Sequence, residues 1–93
     1  MATVEIIGVA LVRELFGAKK LTYPFEGELT VFDLLEKLDE QYGLGNLVYN
    51  EDKSISESIR IFLRGRDIRF LETGSLSLHD GDTVLIMPIL AGG

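Results

Sequence analysis

The sequence predicts an α+β domain in which one main helix packs across a mixed sheet of four or five strands. Three observations lead there. Val31, Leu34, Leu35, Leu38 and Tyr42 form a single apolar stripe at helical spacing. Short alternating apolar segments, separated by turn-forming residues, read as strands. The two most apolar of those segments lie near the two ends of the chain, which suits strands at the centre of a sheet.

Val4 to Val9 reads as the first strand, with Val4 and Ile6 on one face and Glu5, Ile7 and Val9 on the other. Leu11, Val12, Leu15 and Phe16 have helical spacing, so a short helical turn follows, closed by Gly17. Lys20 to Phe25 is a second strand that presents Leu21, Tyr23 and Phe25 on one side, and Gly27 marks its end. Thr30 opens the main helix as its cap, with Asp33 three positions on, and Gly43 stops it. Gly43 to Glu57 is irregular, with Leu47, Val48 and Ile55 tucked beneath it. Ile59 to Leu63 is a further strand, and Arg64-Gly65-Arg66 reverses it into a short strand from Asp67 to Phe70. After Leu76 and Leu78, the Asp-Gly of His79-Asp80-Gly81-Asp82 signals a turn into the last strand, Thr83 to Met87, which Pro88 ends.

A length of 93 residues supports one domain, here residues 1–88, followed by a C-terminal tail at 89–93. The chain has no cysteine, which excludes disulfides, thiolate zinc sites and a cysteine sulfur relay within it. No N-terminal segment resembles a signal peptide, and the C-terminal apolar run is too short to span a bilayer, so a cytoplasmic protein with no membrane partner is expected. A net charge of −6 disfavours nucleic acid, whose phosphates repel such a field. That charge serves solubility or steers the chain toward a basic partner surface.

Chemistry within the domain is sparse. His79, the one histidine, lies in a polar turn with no second histidine to share a metal, so no metal site is expected. Gly43-Leu44-Gly45 follows a helix and lacks the third glycine of a dinucleotide loop. Asp80 and Asp82 read as turn residues. Arg60, Arg64, Arg66 and Arg69 cluster around a hairpin, either as a solvated face or as a partner contact. The sheet face turned away from the helix carries Ile7, Val9, Phe62, Leu85 and Met87. Either a loop covers them or they form an interface.

The chain stops at Ala91-Gly92-Gly93, straight after Pro88-Ile89-Leu90. At average glycine usage two terminal glycines arise by chance only about 0.5% of the time. Glycine has no Cβ, so such a tail can enter narrow channels and present its carboxylate to an enzyme.

Together these residues resemble the MoaD/ThiS-type sulfur-carrier proteins, the ubiquitin-like β-grasp group of molybdopterin and thiamin biosynthesis. The resemblance rests on Val12-Arg13-Glu14-Leu15-Phe16-Gly17, on Leu78-His79-Asp80-Gly81-Asp82-Thr83-Val84, and on Met87-Pro88-Ile89-Leu90-Ala91-Gly92-Gly93. The Arg-Glu-Leu element and the length point to the small subunit of molybdopterin synthase. Two features depart from the family pattern: Ile89 replaces a second proline, and the central hairpin reads Leu63-Arg64-Gly65.

The resemblance implies a β-grasp fold and a function as cosubstrate and non-catalytic subunit, without a cofactor of its own. An E1-like adenylating enzyme would activate Gly93 with ATP, and a sulfur donor would convert it to a thiocarboxylate. The tail, Pro88 to Gly93, would then enter the large subunit of molybdopterin synthase, with Gly92 keeping the backbone thin. Ile7, Val9, Phe62, Leu85 and Met87 would dock both partners. The same activation would serve a ubiquitin-like modifier joined to lysines, or a carrier for another pathway such as thiamin. An interaction module with incidental glycines is the remaining alternative.

Overall fold

The computed structural model describes residues 1–89, without the side chains of Asn46 and Thr73. In chain order it contains β1 (Ala2–Gly8), α1 (Leu11–Phe16), β2 (Lys20–Phe25), α2 (Val31–Tyr42), α3 (Gly45–Val48), β3 (Ile59–Leu63), β4 (Arg66–Asp67) and β5 (Thr83–Pro88). Two 3-10 turns, Ile68–Phe70 and Thr73–Leu76, separate β4 from β5. The five strands form one mixed sheet in the order β2-β1-β5-β3-β4. β1 and β5 run parallel, Ile6 facing Val84 and Ile7 facing Leu85, while all other pairs are antiparallel. The two strands from the ends of the chain are therefore neighbours inside the sheet, as their apolar character predicts.

Strand alternation divides the sheet into two faces. Val4, Ile6, Ile59, Ile61, Leu63, Val84 and Ile86 are buried against Val31, Leu34, Leu35 and Leu38 of α2. The start of α2 is fixed reciprocally: Asp33 N–H donates to Thr30 Oγ1, and Thr30 N–H donates to Asp33 Oδ2, each at 3.1 Å. Such a box satisfies two N–H groups that the helix itself leaves open. Gly43 closes the helix in the left-handed conformation, with φ at 71°.

The short helix expected after β1 forms and is closed by Gly17, and some later expectations are corrected. In α1 only Val12 and Phe16 are buried, whereas Leu11 and Leu15 are exposed. Phe16 meets the Tyr42 ring edge-on at 5.1 Å, so α1 closes the end of the core beside the last turn of α2. The stretch after Gly43 is not wholly irregular. Leu44 is 1% exposed, and the Asp39 carboxylate accepts the Gly45 N–H, winding α3.

The short strand expected at 67–70 reduces to Arg66–Asp67. Asp67 Oδ1 accepts the Arg69 N–H at 3.0 Å, which curls Ile68–Phe70 into a 3-10 turn and leaves Phe70 exposed. The reversal before it is a two-residue turn with positive φ at both Arg64 (52°) and Gly65 (79°). That geometry matches the twist of the flanking strands.

Pro88 is the last residue of β5, not a residue beyond it. It faces Ile59, and Ile89 N–H still donates to the Ser58 carbonyl at 2.8 Å. On the other side, Val9 N–H reaches the Ile86 carbonyl at 3.2 Å. The next bond of that parallel ladder would need an N–H at position 88, which proline lacks. The Val9 carbonyl instead accepts from Val12 N–H at 3.2 Å, in the first turn of α1.

Candidate functional site

The face of the sheet opposite α2 carries the apolar residues that the alternation predicts there. Ile7, Leu85 and Phe62 lie in one row across β1, β5 and β3, and all three are half-buried. With Met87, Arg64, Gly65 and Thr83 they line a shallow, mainly apolar groove of about 370 Å³. Among the described residues no loop fills it. Val9 stands just past the end of β1, 41% exposed, and is not part of the groove lining. Pro88 ends β5, and Ile89 follows it, hydrogen-bonded to the Ser58 carbonyl. Gly92 and Gly93, to which the sequence assigns the chemistry, and Leu90 and Ala91, which it assigns to partner binding, lie outside the described residues.

Arg64 forms the polar end of the groove and is held firmly. Its Nε and one terminal nitrogen donate to the two carboxylate oxygens of Asp82 at 3.0 and 2.7 Å. It also donates to the carbonyls of Ser77 and Ser75, at 3.0 and 3.4 Å, and His79 Nδ1 lies 3.4 Å from the same guanidinium. Asp82 in addition accepts the His79 N–H at 2.7 Å. This bidentate geometry fixes the β3–β4 turn to the start of β5. The neighbouring Asp80 accepts the Thr3 N–H at 2.9 Å. The two carboxylates thus hold turns in place, as the sequence predicts.

Three of the four clustered arginines form ion pairs at the surface, and Arg66 is exposed. Arg60 and Arg69 both approach Asp67, at 3.3 and 3.6 Å, and Arg64 is taken by Asp82. At partly exposed positions such pairs contribute at most about 1 kcal/mol each. Of the three paired arginines, Arg64 lines the groove. Sequence reasoning missed this network, because the pairing of Arg64 with Asp82 spans two turns far apart in the chain.

A second depression, about 720 Å³, lies on the α2 side between Phe32, Glu36 and Asp39 and the loop bearing Tyr49, Glu51 and Lys53. Burial, reinforced by the charges of Glu36 and Asp39, raises the Tyr49 phenol above its ordinary 10.0. No nucleophile–base pair is assembled there. Among the described residues no group of three or more His, Cys, Asp or Glu side chains could hold a metal ion. No helix among them is long and apolar enough to cross a membrane. What the described residues offer is a shallow, mainly apolar groove on the same face of the sheet as Met87, near the end of β5.

The profile of the ThiS family matches residues 9–93. Small archaeal modifier protein 3 of Haloferax volcanii is 33% identical over 91 residues, covering 96% of this chain and 97% of that protein. The solution structure of small archaeal modifier protein 1 from Methanosarcina acetivorans superimposes with a TM-score of 0.76 at 31% identity, covering 100% of this chain and 98% of the other. The CysO/BexX complex of Amycolatopsis orientalis contains a chain with the same fold, with a TM-score of 0.69 at 24% identity, covering 97% of this chain and 99% of that one.

Proposed function

Since the chain belongs to the ThiS family of ubiquitin-like β-grasp sulfur carriers, we propose that its reactive group is the carboxylate of Gly93. A carboxylate is a poor electrophile, and adenylation makes it a good one. One carboxylate oxygen attacks the α-phosphorus of ATP, pyrophosphate leaves, and an acyl-adenylate forms. A sulfur nucleophile then adds to the acyl carbon and expels AMP, leaving a C-terminal thiocarboxylate. Gly92 and Gly93 keep the backbone narrow enough for the active sites that perform these steps. The apolar groove of Ile7, Phe62, Leu85 and Met87, with Val9 beside it, docks the adenylating enzyme and then the acceptor enzyme. Pro88 to Ala91 connect that docking surface to the reacting end. The chain is a cosubstrate throughout, and the catalysts are its partners.

The observation that carries this reading is the family match extending through residue 93, so that Gly92 and Gly93 lie within the matched segment. In its more specific form the chain is the small subunit of molybdopterin synthase, passing sulfur to a pterin precursor bound by the large subunit. The Arg13-Glu14-Leu15 element supports that form. A second reading, as a modifier joined to lysines of target proteins, is favoured by the 33% identity to small archaeal modifier protein 3 along nearly the whole chain. Both readings share the acyl-adenylate and part at the nucleophile, sulfur in one case and a lysine amine in the other.

Intact mass spectrometry of the chain purified from its native host tests both. Replacement of one oxygen by sulfur supports the carrier, and covalent adducts to other proteins support the modifier. Deleting Gly93 is expected to abolish ATP-dependent adenylate formation without changing the unfolding transition. Full activation of that deletion would overturn the proposal.

A further inference from the structure

α1 exposes two leucines that the core does not use. Leu11 is 48% and Leu15 38% exposed, one turn apart on the same face, while Val12 and Phe16 anchor the helix inward. Val9, 41% exposed, precedes them. The chain enters α1 through Ala10 at φ 56°, a backbone region that favours glycine. Strain of this kind persists where the surrounding structure enforces it, and it concentrates at working surfaces.

The position of this face is set by the sheet. Because β1 and β5 are parallel, both finish at the same end. α1 begins there, tied by Val9 N–H to the Ile86 carbonyl and by Val12 N–H to the Val9 carbonyl, and it packs against both strands. Gly93 lies only four residues beyond Ile89. Fully extended they span about 14 Å, less than the 23 Å of the domain's thinnest dimension. An enzyme that takes the Gly93 carboxylate into its active site therefore has to come to this end of the sheet.

The geometry points to Leu11 and Leu15 as a second docking surface, which the adenylating enzyme covers while the tail is in its active site. This rests on the reading of Gly93 as the reacting terminus. The sheet groove grips the flank of the domain, and α1 meets the rim of the channel that the tail enters. Two leucines one turn apart offer a partner an apolar ridge without any rearrangement of the carrier.

The test is steady-state adenylation by the activating enzyme of the same host, with ATP and magnesium, read as pyrophosphate exchange. The double variant Leu11→Asp, Leu15→Asp is expected to raise the KM for the carrier about tenfold or more, the effect of losing an interface anchor, with kcat within about twofold of wild type. Its thermal transition should fall by only a few degrees, since neither side chain belongs to the buried core. Phe32→Ser is the control. Phe32 is 43% exposed at the opposite end of α2 from α1, and its KM should not move. Amide exchange on the wild-type chain supplies a readout that needs no variant: residues 11–16 should gain protection when enzyme and ATP are added.

Failure of the wild type to be adenylated overturns the carrier reading and this inference with it. Normal adenylation of the wild type, with an unchanged KM for the folded double variant or no added protection of α1, overturns the inference alone. A concentration-dependent dimer of the free chain, lost in the double variant while adenylation is unaffected, also overturns it and assigns the ridge to a second copy.

Discussion

Gly8→Ala is expected to destabilise the domain, although glycine-to-alanine changes in strands commonly help. Gly8 is buried at the end of β1 and has no positive φ, so alanine could adopt its backbone conformation without strain. By shortening the list of unfolded conformations alone, the change would stabilise by about 0.4–1 kcal/mol. Space decides against it. A Cβ at position 8 would lie 2.8 Å from Val12 Cγ1 and 2.9 Å from Phe16 Cδ2. Neither neighbour can swing away. Val12 is fully buried, and the Phe16 ring is held against Tyr42. Overpacking of this kind costs about 1–3 kcal/mol, so the net loss is about 1–2 kcal/mol. At about 4–8 °C per kcal/mol for a domain of this size, Tm should fall by about 5–15 °C. Urea unfolding followed by far-ultraviolet circular dichroism measures it, and an unchanged m-value shows that the change acts on stability alone. Phe16→Leu placed in the Gly8→Ala background should recover part of the loss, giving a non-additive cycle. A Gly8→Ala chain as stable as wild type, or a strictly additive cycle, would refute the reasoning.

Leu35→Ala removes a side chain only 1% exposed beneath the sheet and should cost about 2–5 kcal/mol in the same denaturation assay. Met87→Asp sets a carboxylate directly across from Arg60 on the outer face. It should leave the unfolding midpoint nearly unchanged while weakening capture by the adenylating enzyme in a pull-down or calorimetric titration. The phenol of Tyr49 titrates above the ordinary 10.0, chiefly through burial and then through Glu36 and Asp39. A raised folded-state pKa means that its contribution is intact below about pH 10 and is lost as pH rises through the folded value. Unfolding free energy compared at pH 9 and pH 11 should therefore drop more in wild type than in Tyr49→Phe.

Where one pattern dominated, the fold was legible in the sequence. The stripe from Val31 to Tyr42, opened by Thr30 and Asp33, gave α2 its limits, and alternation from Ile59 to Leu63 gave β3 both its limits and its inward face. Tertiary contacts erased the pattern elsewhere. α3 is four residues of glycine, asparagine, leucine and valine, too short for any period to appear. Its cause is the burial of Leu44 and the reach of Asp39 back to Gly45. One signal was present: an apolar residue directly after a C-terminal glycine commonly folds back onto the helix. The span from Asp67 to Phe70 read as a strand because Ile and Phe alternate with polar residues, yet a single side-chain acceptor on Asp67 wound it into a turn. At the candidate site, strand parity was enough to put Ile7, Phe62, Leu85 and Met87 on one face. It could not show Arg64 closing the groove, since that depends on two turns meeting in space, nor that Leu11 and Leu15 would stay outside the core.

The parallel pairing of β1 with β5 also bears on mechanical resistance. Traction applied between the start of β1 and the far end of β5 would slide the two strands along each other in opposite directions. Bonds such as Glu5 N–H to the Asp82 carbonyl, at 2.9 Å, and Val9 N–H to the Ile86 carbonyl lie across that line of force and share the load. A strand peeled from the edge, such as β2, would instead release its bonds one by one. Force spectroscopy in these two pulling geometries should give clearly higher rupture forces for the first. An unfolding motor that seized the tail would pull first against this clamp, and so would meet the strongest resistance at the outset.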